Sequence, residues 1–199
     1  TVEALGPKVE GWKTGEEVYA YSNLMRGGAF AEYVVLPAND VARKPKSVDH
    51  AHAAAIPLAA LTAWQALFDT AKLEAGQSVL VHAGAGGVGH FAVQFAKWKG
   101  AKVYATASKD KLAFVKELGA DVVIDYQAQK FEDVVSNVDV VFDMIGGDTA
   151  ERSYGVLKEG GYFVSIVGAP DKARLEKERR PSPAARYPAR AGGISWRFL

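Results

Sequence analysis

The chain has 199 residues, 49% of them hydrophobic and 24% charged, with a formal net charge of +1. This composition indicates a folded globular protein of one large domain or two small ones. The charge gives no reason to expect nucleic acid or an acidic membrane as a partner, and the absence of cysteine excludes disulfides, thiol nucleophiles and Cys-ligated zinc. Since no apolar run approaches the length of a membrane span, we expect no membrane contact and a cytoplasmic protein.

The chain begins with segments of strand composition. "EEVYAYS" (16–22) and "GAFAEYVVLP" (28–37) predict strands joined by a turn at "RGG" (26–28), and "TVEALG" (1–6) is also strand-like. "DVARKP" (40–45) predicts a short edge strand that stops at its proline. Short strands joined by glycines predict part of a barrel or sandwich.

A helical region follows over residues 47–76. Ser47 and Asp49 are candidate N-caps, Pro57 is expected to interrupt the first helix, and Gly76 is expected to end the second.

Strands and helices then alternate up to residue 168. The predicted order is strand 77–84, helix 89–99 ended by Gly100, strand 102–107, helix 108–120, strand 121–126, short helix 131–135, strand 138–146, helix 148–160 and strand 161–168. Central strands that are apolar throughout predict an α/β fold, in which a Rossmann-like, doubly wound parallel sheet is covered by helices on both faces.

The last segment differs in composition. Residues 169–199 hold eight Lys or Arg and three acidic residues and so carry +5, which leaves +1 minus +5, or −4, for residues 1–168. We expect a basic, Pro- and Arg-rich, largely irregular tail. An arm that binds RNA or an acidic partner is the alternative.

The pattern Gly84-x-Gly86-x-x-Gly89 lies between a predicted strand and a predicted helix, which is the context of a dinucleotide-binding turn. Gly84 is expected to permit the tight turn, Gly86 the approach of a pyrophosphate, and Gly89 the close packing of helix on sheet. The amino end of the helix would then face the phosphates. A glycine-rich turn without a ligand is the alternative.

The end of the second strand, "ATASKDK" (105–111), favours NADP(H) over NAD(H). No carboxylate follows the strand directly, while the hydroxyl of Ser108 and the ammonium groups of Lys109 and Lys111 could bind a 2′-phosphate. Asp110 is expected to interact with the helix dipole rather than with ribose. The alternative is that Ser108 only caps the helix and that both lysines are merely solvated.

Four segments together resemble one family: "AGAGGVGHFAVQFAK" (83–97), "PLAALTAWQALFD" (57–69), "GGAFAEYVVLP" (27–37) and "LGADVVIDY" (118–126). Over residues 1 to about 168 the chain resembles the zinc-free quinone oxidoreductase branch of the medium-chain dehydrogenases/reductases. The resemblance implies a GroES-like catalytic domain, partial here, with NADPH between it and a Rossmann domain. The implied regions are a partial GroES-like domain (1–46), connecting helices (47–76), an NADP-binding Rossmann domain (77–168) and an atypical tail (169–199).

The resemblance also implies roles for single residues. Those that would contact the cofactor are, for the pyrophosphate, Gly84, Gly86, Gly87, Val88 and Gly89; for the 2′-phosphate, Ser108, Lys111 and Tyr126; and for the nicotinamide ribose, Ile145, Gly146, Val167 and Gly168. Thr62, at the start of the helix "TAWQAL", would lie near the nicotinamide and is the catalytic candidate. Without the resemblance, Tyr126 is equally well a half-buried aromatic residue at a strand end.

No metal site is expected. Leu58 stands where zinc-dependent relatives place a cysteine, and His50 and His52 have no third ligand. His82 and His90 flank the glycine turn at positions that are not ligands, so each is expected to be a packed or surface imidazole.

The implied function is the transfer of hydride from NADPH to a quinone or an α,β-unsaturated carbonyl compound without zinc, with a homodimer as the implied assembly. The alternative is a non-catalytic NADPH-binding protein or an inactive truncated member. Family members begin upstream of Thr1 and continue past Gly168 along another course, so the chain is expected to be truncated at both ends. A displaced reading frame or a chain taken from part of a longer one would explain the tail.

Overall fold

The computed structural model describes residues 1–22 and 28–168. Within these residues the chain divides into two compact units, residues 1–58 and residues 59–168. Most of the predicted turn over 26–28 and the whole predicted basic tail lie outside the described residues.

The first unit contains an antiparallel pair of short strands, β1 (Val18–Ala20) and β2 (Val41–Arg43). Strand β1 lies within the predicted strand 16–22, and β2 confirms the predicted edge strand over 40–45.

Two other strand predictions in this unit are wrong. Residues 28–37 form no strand, and the side chains of Phe30 and Val35 are almost entirely exposed. Among the described residues, only Val2 near the start of the chain pairs with another segment, through two backbone hydrogen bonds of 2.9 Å to residues 15–16. Both segments have suitable composition, but a strand forms only where a neighbouring segment supplies a continuous hydrogen-bond ladder.

Helix α1 (His50–Trp64) continues into a π-helical segment, Gln65–Thr70. The start agrees with the sequence, because Asp49 Oδ1 accepts a hydrogen bond of 2.8 Å from the amide of His52. Pro57 lies inside α1, so the prediction that it interrupts the helix is wrong.

Burial explains why the helix continues. Ala63, Ala66 and Leu67 have no exposed surface, and their packing offsets a cost of about 3 kcal/mol for an interior proline. Gly76 does not end a helix but lies in the turn before the next strand, with φ +81°. Contrary to the expectation that no apolar run approaches the length of a membrane span, the stretch His50–Thr70 is long and apolar enough to cross a membrane by length and composition alone. Core helices of water-soluble proteins also pass this test.

The second unit contains a five-stranded parallel sheet with the strand order β5-β4-β3-β6-β7. Its strands are β3 (Ser78–Val81), β4 (Lys102–Ala107), β5 (Val122–Asp125), β6 (Val138–Asp143) and β7 (Leu157–Ser165), and its helices are α2 (Gly89–Lys99), α3 (Leu112–Glu117) and α4 (Gly147–Ser153). This order confirms the predicted doubly wound fold.

Apolar side chains are buried on both faces of the sheet. Val79 and Val81 belong to one buried cluster with Phe142, whereas Leu80 belongs to a second cluster with Phe163. Successive residues of one strand point to opposite faces, which explains why the central strands are apolar throughout.

The helix boundaries are only partly as predicted. Helix α2 ends at Gly100 in the left-handed conformation (φ +87°), as expected. The predicted helix 148–160 is too long, because α4 ends at Ser153 and Leu157 already begins β7. Leu157 pairs with Val138 and is buried, so sheet packing determines its conformation.

Candidate dinucleotide-binding site

The strand order places a crevice at the carboxyl ends of the two central strands β3 and β6. The chain leaves β3 towards one side of the sheet and β6 towards the other, so the loops after these two neighbouring strands diverge. In doubly wound sheets a ligand binds in such a crevice, outside the carboxyl ends of the strands.

The glycine turn joins β3 to α2, and its outer glycines are buried. A Cβ atom on Gly89 would lie 2.1 Å from the carbonyl oxygen of Ala83, and one on Gly84 would lie 3.0 Å from Cβ of Ala105. Helix α2 can therefore begin directly against the end of β3 only because Gly89 has no side chain.

The expected role of Gly84 in the turn needs a correction. The left-handed residue is Ala83, with φ +51°, and Gly84 is not among the positive-φ residues. Gly84 is required by its close contact with β4, not by its backbone conformation.

The inner glycines, Gly86 and Gly87, are exposed. Apart from its two neighbours in the chain, no described residue has a heavy atom within 4 Å of the position of a Cβ on Gly87. Val88 is half-buried at the start of α2, which is 11 residues long. An open surface of glycine backbone at the amino end of a helix fits a pyrophosphate.

A buried polar network lies beneath this turn. Thr106 of β4 accepts hydrogen bonds from two amides of the turn. Ala83 N–H donates to its Oγ1 at 3.1 Å, and Gly84 N–H donates to its carbonyl at 2.8 Å. His82 lies 3.3 Å from Thr106 Oγ1 through Nδ1 and 2.8 Å from Ser153 Oγ through Nε2. Burial lowers the pKa of His82 to about 4. His82 is thus a neutral, packed imidazole.

The residues predicted for the 2′-phosphate lie at the ends of β4 and β5. Because Ala107 pairs with Asp125, Ser108 and Tyr126 directly follow two paired residues, and the Tyr126 side chain is exposed. Lys109 is exposed in the 3₁₀ turn that precedes α3.

Asp110 engages two of these residues. It accepts a hydrogen bond of 2.6 Å from the Ser108 hydroxyl and lies 3.5 Å from Nζ of Lys111. The Ser108 hydrogen bond lowers the pKa of the Asp110 carboxyl. Ser108 occupies the cap position, but its side chain makes no capping hydrogen bond. The alternative interpretation, that Ser108 only caps the helix with its hydroxyl, is therefore wrong.

The loops after β6 and β7 lie against each other. Gly146 has φ +76°, and a Cβ atom there would lie 3.1 Å from Val167 Cγ2. The side chains of Ile145 and Val167 are exposed, as is Gly168. The two segments predicted to flank the nicotinamide ribose are therefore adjacent and present apolar surface.

Asp143, at the end of β6, holds these loops. Its side chain is fully buried, and Oδ1 accepts hydrogen bonds of 3.0 Å from the amides of Ile145 and Gly146. Oδ2 accepts one of 2.8 Å from the Ser165 hydroxyl.

Thr62 is half-buried in the last turn of α1 rather than at the start of a helix, which corrects the expected position. Within residues 1–22 and 28–168, no three His, Asp or Glu side chains are grouped so that they could hold a metal ion.

Comparison with known proteins identifies the family. Residues 87–181 match the model of the family described as "Zinc-binding dehydrogenase". The chain is 43% identical over 176 residues to 2-methylene-furan-3-one reductase of Solanum lycopersicum, covering 84% of this chain and 45% of that relative. The chloroplastic NADPH-dependent alkenal/one oxidoreductase of Arabidopsis thaliana is equally similar over the same shares. The quinone oxidoreductase structure from Coxiella burnetii matches with a TM-score of 0.81 and 37% identity, over 89% of this chain and 57% of that one.

The chain belongs to the medium-chain dehydrogenase/reductase superfamily. It spans about half the length of these relatives. The superfamily match reaches residue 181, beyond the last described residue, Gly168.

Sequence reasoning missed three polar residues that shape the site of this superfamily member. Asp143, Thr106 and Ser153 are buried, and each hydrogen-bonds to a segment distant in sequence or to the loop that it holds. For Thr106 and Asp143, the feature of the sequence that could have indicated such a role is a polar residue at or near the end of an apolar strand.

Proposed function

We propose that this chain binds NADP(H) at the carboxyl edge of its parallel sheet and belongs to a reductase that acts on quinones or α,β-unsaturated carbonyl compounds without zinc. The exposed backbone at Gly86 and Gly87 carries this proposal, because it lies at the amino end of α2 beside the crevice between β3 and β6. The relatives named for NADPH, alkenal/one and quinone chemistry support it.

The two ends of the crevice suit the two ends of the dinucleotide. Ser108, Lys109 and Lys111 supply a hydroxyl and two ammonium groups at the end of β4, where a 2′-phosphate would lie. Ile145 and Val167 present apolar surface at the ends of β6 and β7, which suits a planar nicotinamide ring.

Little further chemistry is required of the protein. When bound, NADPH supplies the hydride from its nicotinamide ring. The chain's residues would orient the ring and exclude water, and Thr62 is proposed to lie near the nicotinamide. The absence of cysteine and the ungrouped histidines support a reaction without zinc.

The binding of NADPH and NADH, followed by nicotinamide fluorescence, tests the cofactor. Replacing Ser108 and Lys111 together by alanine should weaken the binding of NADPH by about tenfold and leave the binding of NADH nearly unchanged, because only NADPH carries the 2′-phosphate. Lys102→Ala is the control, since this exposed lysine begins β4 at the opposite edge of the sheet. Equal weakening of both dinucleotides would refute the assignment.

Oxidation of NADPH with a simple quinone tests the reaction. Turnover by the full-length protein would support the reductase. Tight NADPH binding without turnover of quinones and enones would instead support a non-catalytic NADPH-binding protein.

A further inference from the structure

His82 is a buried group to which the proposed function gives no role. Only 1% of its surface is exposed, and it lies between Thr106 of β4 and Ser153 of α4. All three side chains are buried, so their hydrogen bonds must be satisfied within the protein.

The surrounding contacts determine the direction of each hydrogen bond. The Ser153 hydroxyl donates to the carbonyl of Thr149 at 2.6 Å, so its oxygen accepts from Nε2–H of His82. Nδ1 of the neutral ring then accepts a hydrogen bond from the hydroxyl of Thr106. The oxygen of Thr106 in turn accepts from the amide of Ala83. The result is a one-way chain of four hydrogen bonds from the glycine turn to helix α4.

This chain of hydrogen bonds begins at Ala83, a residue that sets the geometry of the turn. Ala83 has a left-handed backbone, which costs about 1 kcal/mol in a residue other than glycine, so the conformation must be held by its surroundings. Its carbonyl oxygen is the atom against which Gly89 packs. The orientation of Ala83 therefore determines where α2 can begin.

The other end of this chain of hydrogen bonds lies in α4, on the opposite side of the crevice. Thr149 and Ser153 belong to α4, which starts directly after the loop of residues 144–146 that Asp143 holds. The same hydrogen bonds thus join the element that follows β6 to the turn that follows β3.

We propose that His82, Thr106 and Ser153 are positioning residues, which hold the phosphate-binding turn in register with α4 and so set the affinity for the dinucleotide. This inference rests on the proposed function, because dinucleotide affinity is the property that the chain of hydrogen bonds would control. None of the three side chains is assigned a contact with the ligand.

A double-mutant cycle tests the proposal. Thr106→Val and Ser153→Ala each remove two of the four hydrogen bonds, and each should weaken NADPH binding by about fivefold. Since the hydrogen bonds of the described residues link Thr106 and Ser153 through His82 alone, the double variant should also lose about fivefold rather than the product, about twenty-five-fold. Thr106→Ser keeps the hydroxyl and should bind like the wild type. Losses that multiply, or wild-type affinity of Thr106→Val, would overturn the proposal.

Amide hydrogen exchange without dinucleotide gives a second, independent test. Ser153→Ala should accelerate exchange at the amide of Ala83, although Ser153 is in contact with His82 and not with the turn. Ser165→Ala, a similar change at the Asp143 site, should leave that amide unchanged. If the wild type binds neither dinucleotide, the proposed function fails. The exchange rate at Ala83 then tests the chain of hydrogen bonds independently of ligand binding. An unchanged rate in Ser153→Ala would refute the connection between Ser153 and the turn.

Discussion

Replacing Gly89 by alanine should disrupt both the fold of the glycine turn and its ligand binding. The added Cβ would lie 2.1 Å from the carbonyl oxygen of Ala83, while ordinary contacts begin at 3.4 Å, so α2 or the turn must move by about 1.3 Å. The opposing atoms belong to the backbone and cannot rotate away. Overpacking of this kind costs about 2 kcal/mol, which corresponds to a fall in melting temperature of roughly 4–8 °C for a chain of this size.

The affinity for NADPH should fall with the stability. A displaced turn would lose one or two hydrogen bonds to phosphate, so we expect the dissociation constant for NADPH to increase by about tenfold. Urea unfolding and fluorescence titration measure the two effects separately.

Gly87→Ala is the matched control in the same turn. Its Cβ meets no atom of a described, non-adjacent residue within 4 Å, so the free energy of unfolding should stay within about 0.5 kcal/mol of the wild-type value. The methyl group would nevertheless occupy the space proposed for the pyrophosphate and weaken NADPH binding. Wild-type stability and affinity in Gly89→Ala would refute the close-packing explanation, and wild-type affinity in Gly87→Ala would refute the location of the phosphates.

Three further changes test other parts of the site. Asp110→Asn should strengthen NADPH binding by about threefold without affecting NADH, because it removes a negative charge beside the proposed 2′-phosphate; an unchanged ratio of the two affinities would contradict this. Asp143→Ala should cost about 2–3 kcal/mol in urea unfolding by leaving two loop amides unpaired, whereas Asp143→Asn keeps an acceptor and should cost less. His82 is neutral when folded, with a pKa of about 4, and its unfolded form takes up a proton below about pH 6.5. The free energy of unfolding should therefore fall by about 2 kcal/mol between pH 7.5 and pH 5, and His82→Gln should lack this loss.

Local patterns were sufficient for the architecture of the second unit. Apolar strands alternating with helices predicted the doubly wound sheet, and the spacing of Gly84, Gly86 and Gly89 predicted where the turn lies. Gly100 marked the end of α2, because a left-handed C-cap is a property of the helix end itself. These features depend on neighbours within a few residues or on a periodic pattern, so the sequence alone determined them.

Features that depend on contacts between distant segments were not predictable in the same way. The strand composition of residues 28–37 did not produce a strand, because hydrogen-bond partners come from elsewhere in the chain. Pro57 did not stop α1, because burial further along the helix offset its cost. In the region proposed to bind the 2′-phosphate, Asp110 contacts both Ser108 and Lys111, an arrangement that the sequence order did not reveal.

The glycine turn shows the same division within a single motif. The sequence by itself determined that a glycine-rich turn joins a strand to a helix, and it predicted that a phosphate group binds there. Only the tertiary structure decided that Ala83 takes the left-handed conformation, that Gly84 is required by its contact with Ala105, and that His82 connects the turn to α4. The physical reason is that each of these depends on an atom brought close by the packing of the sheet and its helices, not by position along the chain.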